Sequence, residues 1–390
     1  MITPVRILKK GNTLIRWRKY MVLFLPLVFS CVDPYWPNLE GEGEKLVVDA
    51  LVTDDPDNQY VRLSFSTPAN EQDFESVSGA TVVVTDDLGD AVFFYENESG
   101  NYYPENFAGV DGRRYSLSIT LPDGRQYESG FQPLTVSESF DSIYYVIENQ
   151  STTDPRYDIE GARFYINDIP SGPQEQYFLY KLTETYKFHV DFTLEYIEAG
   201  SGLTRILDPP STLCYKTEGV YGFYIFKSKA NIDPHTQTLP LNFVTFETKK
   251  FYERYCLQVK QISVSEEVFN LYYRVSQQNN SGSLYTIQPY NIIGNVKCVT
   301  DDKETVLGSF VVGGIREKRE FFNRPAHVNF TFTACFGQTD GIGYLIRRGG
   351  KPSNPLLFTF IDGALALGQP QCFLCSENGA SNDRPDFWED

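Results

Sequence analysis

From Lys45 onward, apolar runs of six to nine residues are cut short by turn-forming residues at intervals of about ten to fifteen, which leaves little room for long helices. Lys45–Thr53, Gln59–Phe65 and Ala80–Thr85 are such runs, and they are rich in Val, Leu, Thr and Phe. Residues of this kind suit a pleated, half-buried surface. The breaks fall at Asp54–Asp57, Asp86–Gly89, Asp111–Gly112 and Pro122–Gly124, where Asp, Pro and Gly supply the local bonding and the backbone freedom of turns. Arg114–Leu121 and Arg125–Phe131 flank the last of these as a hairpin. About seven short antiparallel strands in about ninety residues predict an immunoglobulin-like β-sandwich over 44–135.

Beyond Pro133 the runs lengthen, as in Glu175–Thr193, Tyr221–Lys227 and Lys249–Ile262, and resume at Asn291–Val299, Glu304–Val312 and Val328–Thr333. One segment changes period. Over 263–278, Val268, Leu271, Tyr272 and Val275 recur at helical spacing, and Ser263 with Glu266 has the form of a capping box. This predicts one amphipathic helix, its apolar stripe turned to a sheet, within a β-rich domain over 136–370. A Cys-containing tail over 371–390 follows.

The first thirty residues carry Arg6, Lys9, Lys10, Arg16, Arg18 and Lys19 and no acidic side chain. Met21–Phe29 is then wholly apolar, and Ser30-Cys31 follows. A bilayer-spanning helix needs roughly 20 apolar residues, so this stretch has the length of a signal-peptide core instead. The expected order is a signal peptide over 1–30, a lipidated Cys31, and a Pro-, Gly- and Glu-containing stalk to residue 43. Two or three acyl chains on Cys31 hold a protein to a bilayer without spanning it. Removal of the leader changes the formal charge from 34 − 51 = −17 to 28 − 51 = −23. So acidic a chain is unsuited to nucleic acid.

Lipidation of Cys31 leaves six cysteines, Cys214, Cys256, Cys298, Cys335, Cys372 and Cys375, an even number that suits up to three disulfides in an oxidising compartment. Sequence alone does not choose among 15 pairings. Cys372 and Cys375 are expected to be oxidised, bonded to each other or to earlier cysteines. Half a zinc ribbon is the rival reading of this pair, but no second Cys-x-x-Cys is present and His189, His235 and His327 are scattered. No catalytic residue, metal site or cofactor is therefore expected beyond the covalent acyl lipid on Cys31. The acidic turns Asp54–Asp57 and Asp86–Asp90 offer oxygen ligands for Ca²⁺, but lack EF-hand spacing and read first as solvated turns. Aromatic clusters at Tyr102-Tyr103, Tyr144-Tyr145, Tyr221–Phe226 and Tyr272-Tyr273 are either core or ligand platforms. Pro385, Phe387 and Trp388 stand almost at the terminus, where chains usually fray, so the tail is expected to dock on its own domain or on a partner.

In order along the chain, the motifs Lys45–Thr53, Val77–Asp86, Gly109–Leu117, Phe140–Tyr144, Val264–Glu267, Gly294–Val296, Val306–Gly308, Cys372–Cys375 and Arg384–Trp388 resemble a family of Bacteroidota lipoproteins defined by a domain of unknown function. The resemblance implies lipid anchoring in the outer membrane and genes beside outer-membrane β-barrel receptors, with no reaction to carry over. One departure concerns the tight acidic run that surface-exported members often show after the lipidated Cys, because only Asp33 stands before Glu40 here. Asp141-Ser142-Ile143 resembles an O-glycosylation motif of exported Bacteroidota proteins, with Ser142 as the acceptor. The expected function is a non-catalytic accessory or ligand-capturing partner of an outer-membrane β-barrel, with the cell surface favoured over the periplasmic face. A stand-alone glycan- or peptide-binding module is the second reading, and an exported hydrolase the third.

Overall fold

The computed structural model describes residues 44–67, 75–154, 156–167, 169–200, 202–233, 237–280, 294–348, 351 and 354–389. The leader, Cys31 and the stalk to residue 43 lie outside them, as does His235. From Lys45 to Asp390 the chain packs as one compact unit, and among the described residues it is mainly β.

The first layer is an eleven-stranded sheet built from β1 (Leu46–Val52), β2 (Tyr60–Phe65), β3 (Glu75–Ser76), β4 (Thr81–Asp86), β5 (Ala91–Glu98), β6 (Asn101–Pro104), β7 (Arg114–Thr120), β8 (Gln126–Ser129) and β9 (Gln132–Pro133). Two later strands, β19 (Val296–Cys298) and β20 (Leu307–Val312), complete it at its opposite ends, in the order β19-β8-β7-β4-β5-β6-β2-β1-β20. Val48, Val61, Val82, Phe94, Leu117, Tyr127, Val296 and Phe310 share one core, so the sheet curls until its two ends enclose the same apolar interior. This is sandwich-like packing, but its strands are not confined to 44–135. β20 lies parallel to β1, with Val48 opposite Gly308. That pairing needs the close approach Gly308 allows: a Cβ there would stand 2.0 Å from the Val48 carbonyl oxygen, and one on Gly294 would stand 2.0 Å from the Gly308 oxygen. Between the two ends, Asn295 closes the seam, its Nδ2 donating to the Phe310 carbonyl (2.7 Å) and its Oδ1 accepting from the Phe310 N–H (2.8 Å).

The second sandwich sets a three-stranded sheet, β10 (Ser142–Ser151), β11 (Asp158–Asn167) and β17 (Leu239–Thr245), against a larger one. The larger sheet has the order β15-β12-β18-β21, from β12 (Tyr177–His189), β15 (Leu213–Gly219), β18 (Arg254–Val264) and β21 (Ile315–Asn323), with β16 (Tyr224–Lys227) also paired to β12. Their shared core is aromatic, with Phe164 stacked 5.0 Å from Tyr255 and edge-on to Phe322 at 5.1 Å. A small fourth sheet, β14-β13-β22-β23, comprises β13 (Tyr196–Glu198), β14 (Leu203–Arg205), β22 (Leu356–Ile361) and β23 (Ala364–Gly368).

The expected helix is α1 (Glu266–Asn280), and Val268 and Leu271 are buried on it as the periodicity requires. Its cap differs from expectation. Ser263 stays in β18 and its hydroxyl pairs with that of Ser137 (2.7 Å), so Ser265 takes the role, its Oγ accepting from the Val268 N–H (3.3 Å). Val268 joins Leu51, Leu179, Ile262 and Val311 in the apolar cluster that ties the two sandwiches together. A second, short helix, α2 (Ile342–Arg348), was not anticipated. Val328–Thr333 is not a strand. It makes a single ladder-like bond, Thr331 N–H to the Phe246 carbonyl (3.1 Å), and lays Phe330 on Phe246 and Tyr252 as a cover over the second core.

Candidate functional site

Alternation along β12 turns Phe178, Tyr180, Leu182, Glu184, Tyr186 and Phe188 to the second core. Glu184 is the one carboxylate in that row, and a buried charge must be paired. Lys250 supplies the partner, bonding Glu184 and also Glu218 (2.9 Å), while Lys216 reaches Glu218 from the other side (3.1 Å). The Tyr255 hydroxyl donates to Glu184 Oε2 (2.7 Å) and accepts from Asn242 Nδ2 (2.9 Å). Because the phenol proton goes to the carboxylate, the amide must present its NH₂ there, and Asn242 Oδ1 is left buried without a hydrogen-bond partner.

Desolvation raises the Glu218 carboxyl, but hydrogen bonds from Lys250 and Lys216 outweigh it and hold the group down at about 2. Burial likewise opposes the Lys250 charge, yet Glu184 and Glu218 push its ammonium above the usual lysine range. A depressed carboxyl contributes stability that is present above its unfolded value of 4.5 and disappears as pH falls through about 2. Glu218→Gln should therefore unfold at lower denaturant concentration than the parent at pH 7, with the difference vanishing toward pH 2. A constant offset across that range would show that the charge is not what stabilises this network.

Beside this cluster lies a cleft of about 880 Å³. Tyr186, Phe188, Val190 and Lys216 form one side of it, the Thr248–Lys250 turn another, and Thr333–Phe336, Leu367–Gln369 and Gln371 the rim. Lys249 at its edge pairs with Asp191 (2.7 Å) and donates to the His189 carbonyl (3.1 Å), and Asp191 Oδ2 accepts from the Cys335 N–H (3.1 Å). The His189 ring pairs with Glu253 (2.7 Å). Thr248 and Lys250 also line a neighbouring pocket of about 390 Å³, which contains Glu184, Glu218, Asn242 and Tyr221. Ligand sites commonly span about 300–1,000 Å³ with a mostly apolar lining and a few placed polar groups, and both volumes fall in that range.

One disulfide lies in the cleft wall and a second in the neighbouring second core. Cys335 bonds Cys372 and Cys214 bonds Cys375, which leaves neither Cys372 nor Cys375 as a thiolate for a metal. The six-cysteine expectation is thus corrected to two bridges, since Cys256 and Cys298 are free thiols buried in different apolar clusters. The tail continues past the second bridge. Asn382 Nδ2 donates to the Ser211 and Leu213 carbonyls (2.7 and 2.8 Å), Ser381 bridges to Tyr215, and Trp388 is 3% exposed between Tyr215 and Phe321. Pro385 accepts from the Trp388 N–H (2.9 Å) and so turns the ring inward. Phe387 stays at the surface under Arg319, whose guanidinium carbon is 3.6 Å from the ring centre.

The acidic turns are occupied by protein donors. Asp54 accepts from the Ile315 N–H and from Arg316 (2.7 and 2.8 Å), and Asp86 accepts from Leu88 and Asp90 N–H groups and pairs with Arg113. The Ser142 hydroxyl, at the start of β10, donates to Asn167 Oδ1 (2.6 Å). Sequence reasoning missed Glu184, Glu218, Asn242, Lys216, Lys249 and Lys250. Its one available signal was Glu184 on the core-facing parity of a long strand.

A curled β-sandwich that borrows two late strands, joined to a second sandwich beside an open cleft, makes a β-rich fold of two packed sandwiches. The chain belongs to the family named Domain of unknown function (DUF4249), whose model matches residues 32–319. The rim segments 333–338 and 367–378 and the tail lie beyond the matched residues. No curated protein matches the chain.

Proposed function

We propose that this protein is a non-catalytic outer-membrane lipoprotein of the Bacteroidota, held by acylated Cys31, that captures a ligand for a neighbouring β-barrel. The observation that carries the reading is the braced cleft. One wall is fixed by the Cys335–Cys372 disulfide, and its lysines are already paired with Asp191, Glu184 and Glu218, which supports a site preformed to hold a molecule. A basic, then apolar, then Ser30-Cys31 leader supports the anchor.

The test is purification of the full-length gene product from native membranes in mild detergent, after growth with an alkynyl fatty acid. The parent should be labelled and bring a β-barrel with it, whereas Cys31→Ser should be unlabelled and leave the membrane fraction. Equal labelling of Cys31→Ser would overturn the anchor. A labelled parent that brings no barrel would overturn the partnership.

A further inference from the structure

We propose that the cleft takes an acidic oligosaccharide, a chain of uronic acids whose carboxylates are held by Lys216, Lys249 and Lys250. The inference rests on the reading of the cleft as the capture site and names the class of ligand captured. Charge runs against composition there. The charged residues that line the cleft, among those described, are three lysines and Asp191, in a chain with 34 basic and 51 acidic side chains. Both Asp191 oxygens are already engaged, Oδ1 by Lys249 (2.7 Å) and Oδ2 by the Cys335 N–H (3.1 Å). Glu184 and Glu218 line the smaller neighbouring pocket and not the cleft, and Lys250 is common to both. An occupant of the cleft thus meets three ammoniums and no uncommitted carboxylate.

The pairing of these lysines fixes their heads without exhausting them. Each ammonium has three N–H donors. Lys216 uses one on Glu218, Lys249 two on Asp191 and the His189 carbonyl, and Lys250 two on Glu184 and Glu218. Four of the nine therefore have no acceptor among the described residues. Glu218 illustrates what this wall does to a carboxylate, since desolvation opposes its charge and yet Lys250 and Lys216 hold it down at about 2. The net charge of the chain acts from farther away, and charges beyond about 8 Å are largely screened at physiological ionic strength.

The uncharged lining selects the body of the ligand. Thr333, Gln338, Gln369 and Gln371 bring hydroxyl and amide groups that both donate and accept, and Phe336 stands 83% exposed at the rim. Sugar hydroxyls satisfy such groups, and the C–H face of a sugar ring can lie on an aromatic face. An alkyl chain would instead desolvate the amides without bonding them. A neutral sugar offers the ammoniums only hydroxyl oxygens, whereas a carboxylate makes a bond of roughly twice the strength.

The mature protein, purified in detergent, is titrated calorimetrically with oligogalacturonate and with its fully methyl-esterified form, which keeps the rings and removes the charges. The acid should bind, and the ester should bind at least about tenfold more weakly. Lys216→Gln/Lys249→Gln should weaken binding of the acid at least about tenfold, and Lys216→Arg/Lys249→Arg should retain most of it. Lys250 is left in place because it is the partner of buried Glu184. No binding of the acid, equal binding of the ester, or equal binding by the glutamine variant overturns the proposal. So does binding of stearate or of oligoglutamate in place of the uronate, which assigns the cleft to an amphiphile or to an acidic peptide. A protein that binds no uronate but still brings a β-barrel from the membrane overturns this proposal alone and leaves the partnership standing.

Discussion

Trp388→Ala should lower the thermal midpoint of the purified, lipid-free protein by roughly 10 °C. The indole is buried two residues from the chain end, edge-on to Tyr215 at 5.3 Å and to Phe321 at 5.4 Å, with Cys256 in the same apolar cluster. Emptying such a site costs about 3–5 kcal/mol, and each kcal/mol moves the midpoint of a large domain by about 2–4 °C. The conservative change separates packing from hydrogen bonding. Trp388 Nε1 is buried with no partner, so Trp388→Phe removes an unsatisfied donor along with some contact area and should cost much less. Phe387→Ala should cost less still, because that ring is 37% exposed and contributes chiefly its contact with Arg319. Deleting residues 384–390 should reproduce the Trp388→Ala effect. An unchanged midpoint in both would mean that the tail does not hold the second sandwich, and loss of a co-purifying barrel in the same variants would make it a partner contact instead.

Paired Cys214→Ala/Cys375→Ala should destabilise the protein more than Cys335→Ala/Cys372→Ala, although it is the latter pair that lines the cleft. The first bridge spans 161 residues and the second 37. Chain-entropy arguments assign about 5 kcal/mol to a loop of the first length and about 4 kcal/mol to one of the second, as upper figures. Position adds to this order, since Cys214 and Cys375 lie in the second core while Cys372 belongs to the small cluster under the fourth sheet. Denaturant unfolding of the two double variants measures the difference, and the reverse order would show that the shorter loop carries the brace. Non-reducing peptide mapping provides an independent check. Cys256 and Cys298 should alkylate only after unfolding, and for Cys256 burial also pushes the thiol up to about 11, which keeps it protonated.

Proximity links the two predictions. Cys375 is drawn to Leu213–Cys214 by Asn382, which donates to the Leu213 carbonyl and contacts Cys375 Sγ at 3.0 Å. The bridge and the Trp388 pocket therefore stabilise the same edge of β15, and removing both should cost less than the sum of the separate losses.

Local pattern alone determined the β-rich class, the runs that become β1, β2, β4, β7, β8, β12, β16, β18, β19 and β20, and the α1 stripe through Val268 and Leu271. These depend on alternation and turn chemistry, which are properties of neighbouring residues. Val328–Thr333 shows the limit of that reasoning, because an apolar alternating run becomes a strand only where a neighbour offers a ladder, and here it covers a core instead. Three features were decided only by the tertiary structure. β19 and β20 return to close the first sheet about 160 residues after β9, because Gly294 and Gly308 permit a backbone approach that no local signal announces. The pairing of Cys214 with Cys375 and Cys335 with Cys372, out of 15 arrangements, follows from which strands stand side by side. The cleft assembles from β12, β15, the Thr248–Lys250 turn and segments more than 80 residues further on, so its lysines and carboxylates meet only once the long-range sheet order exists.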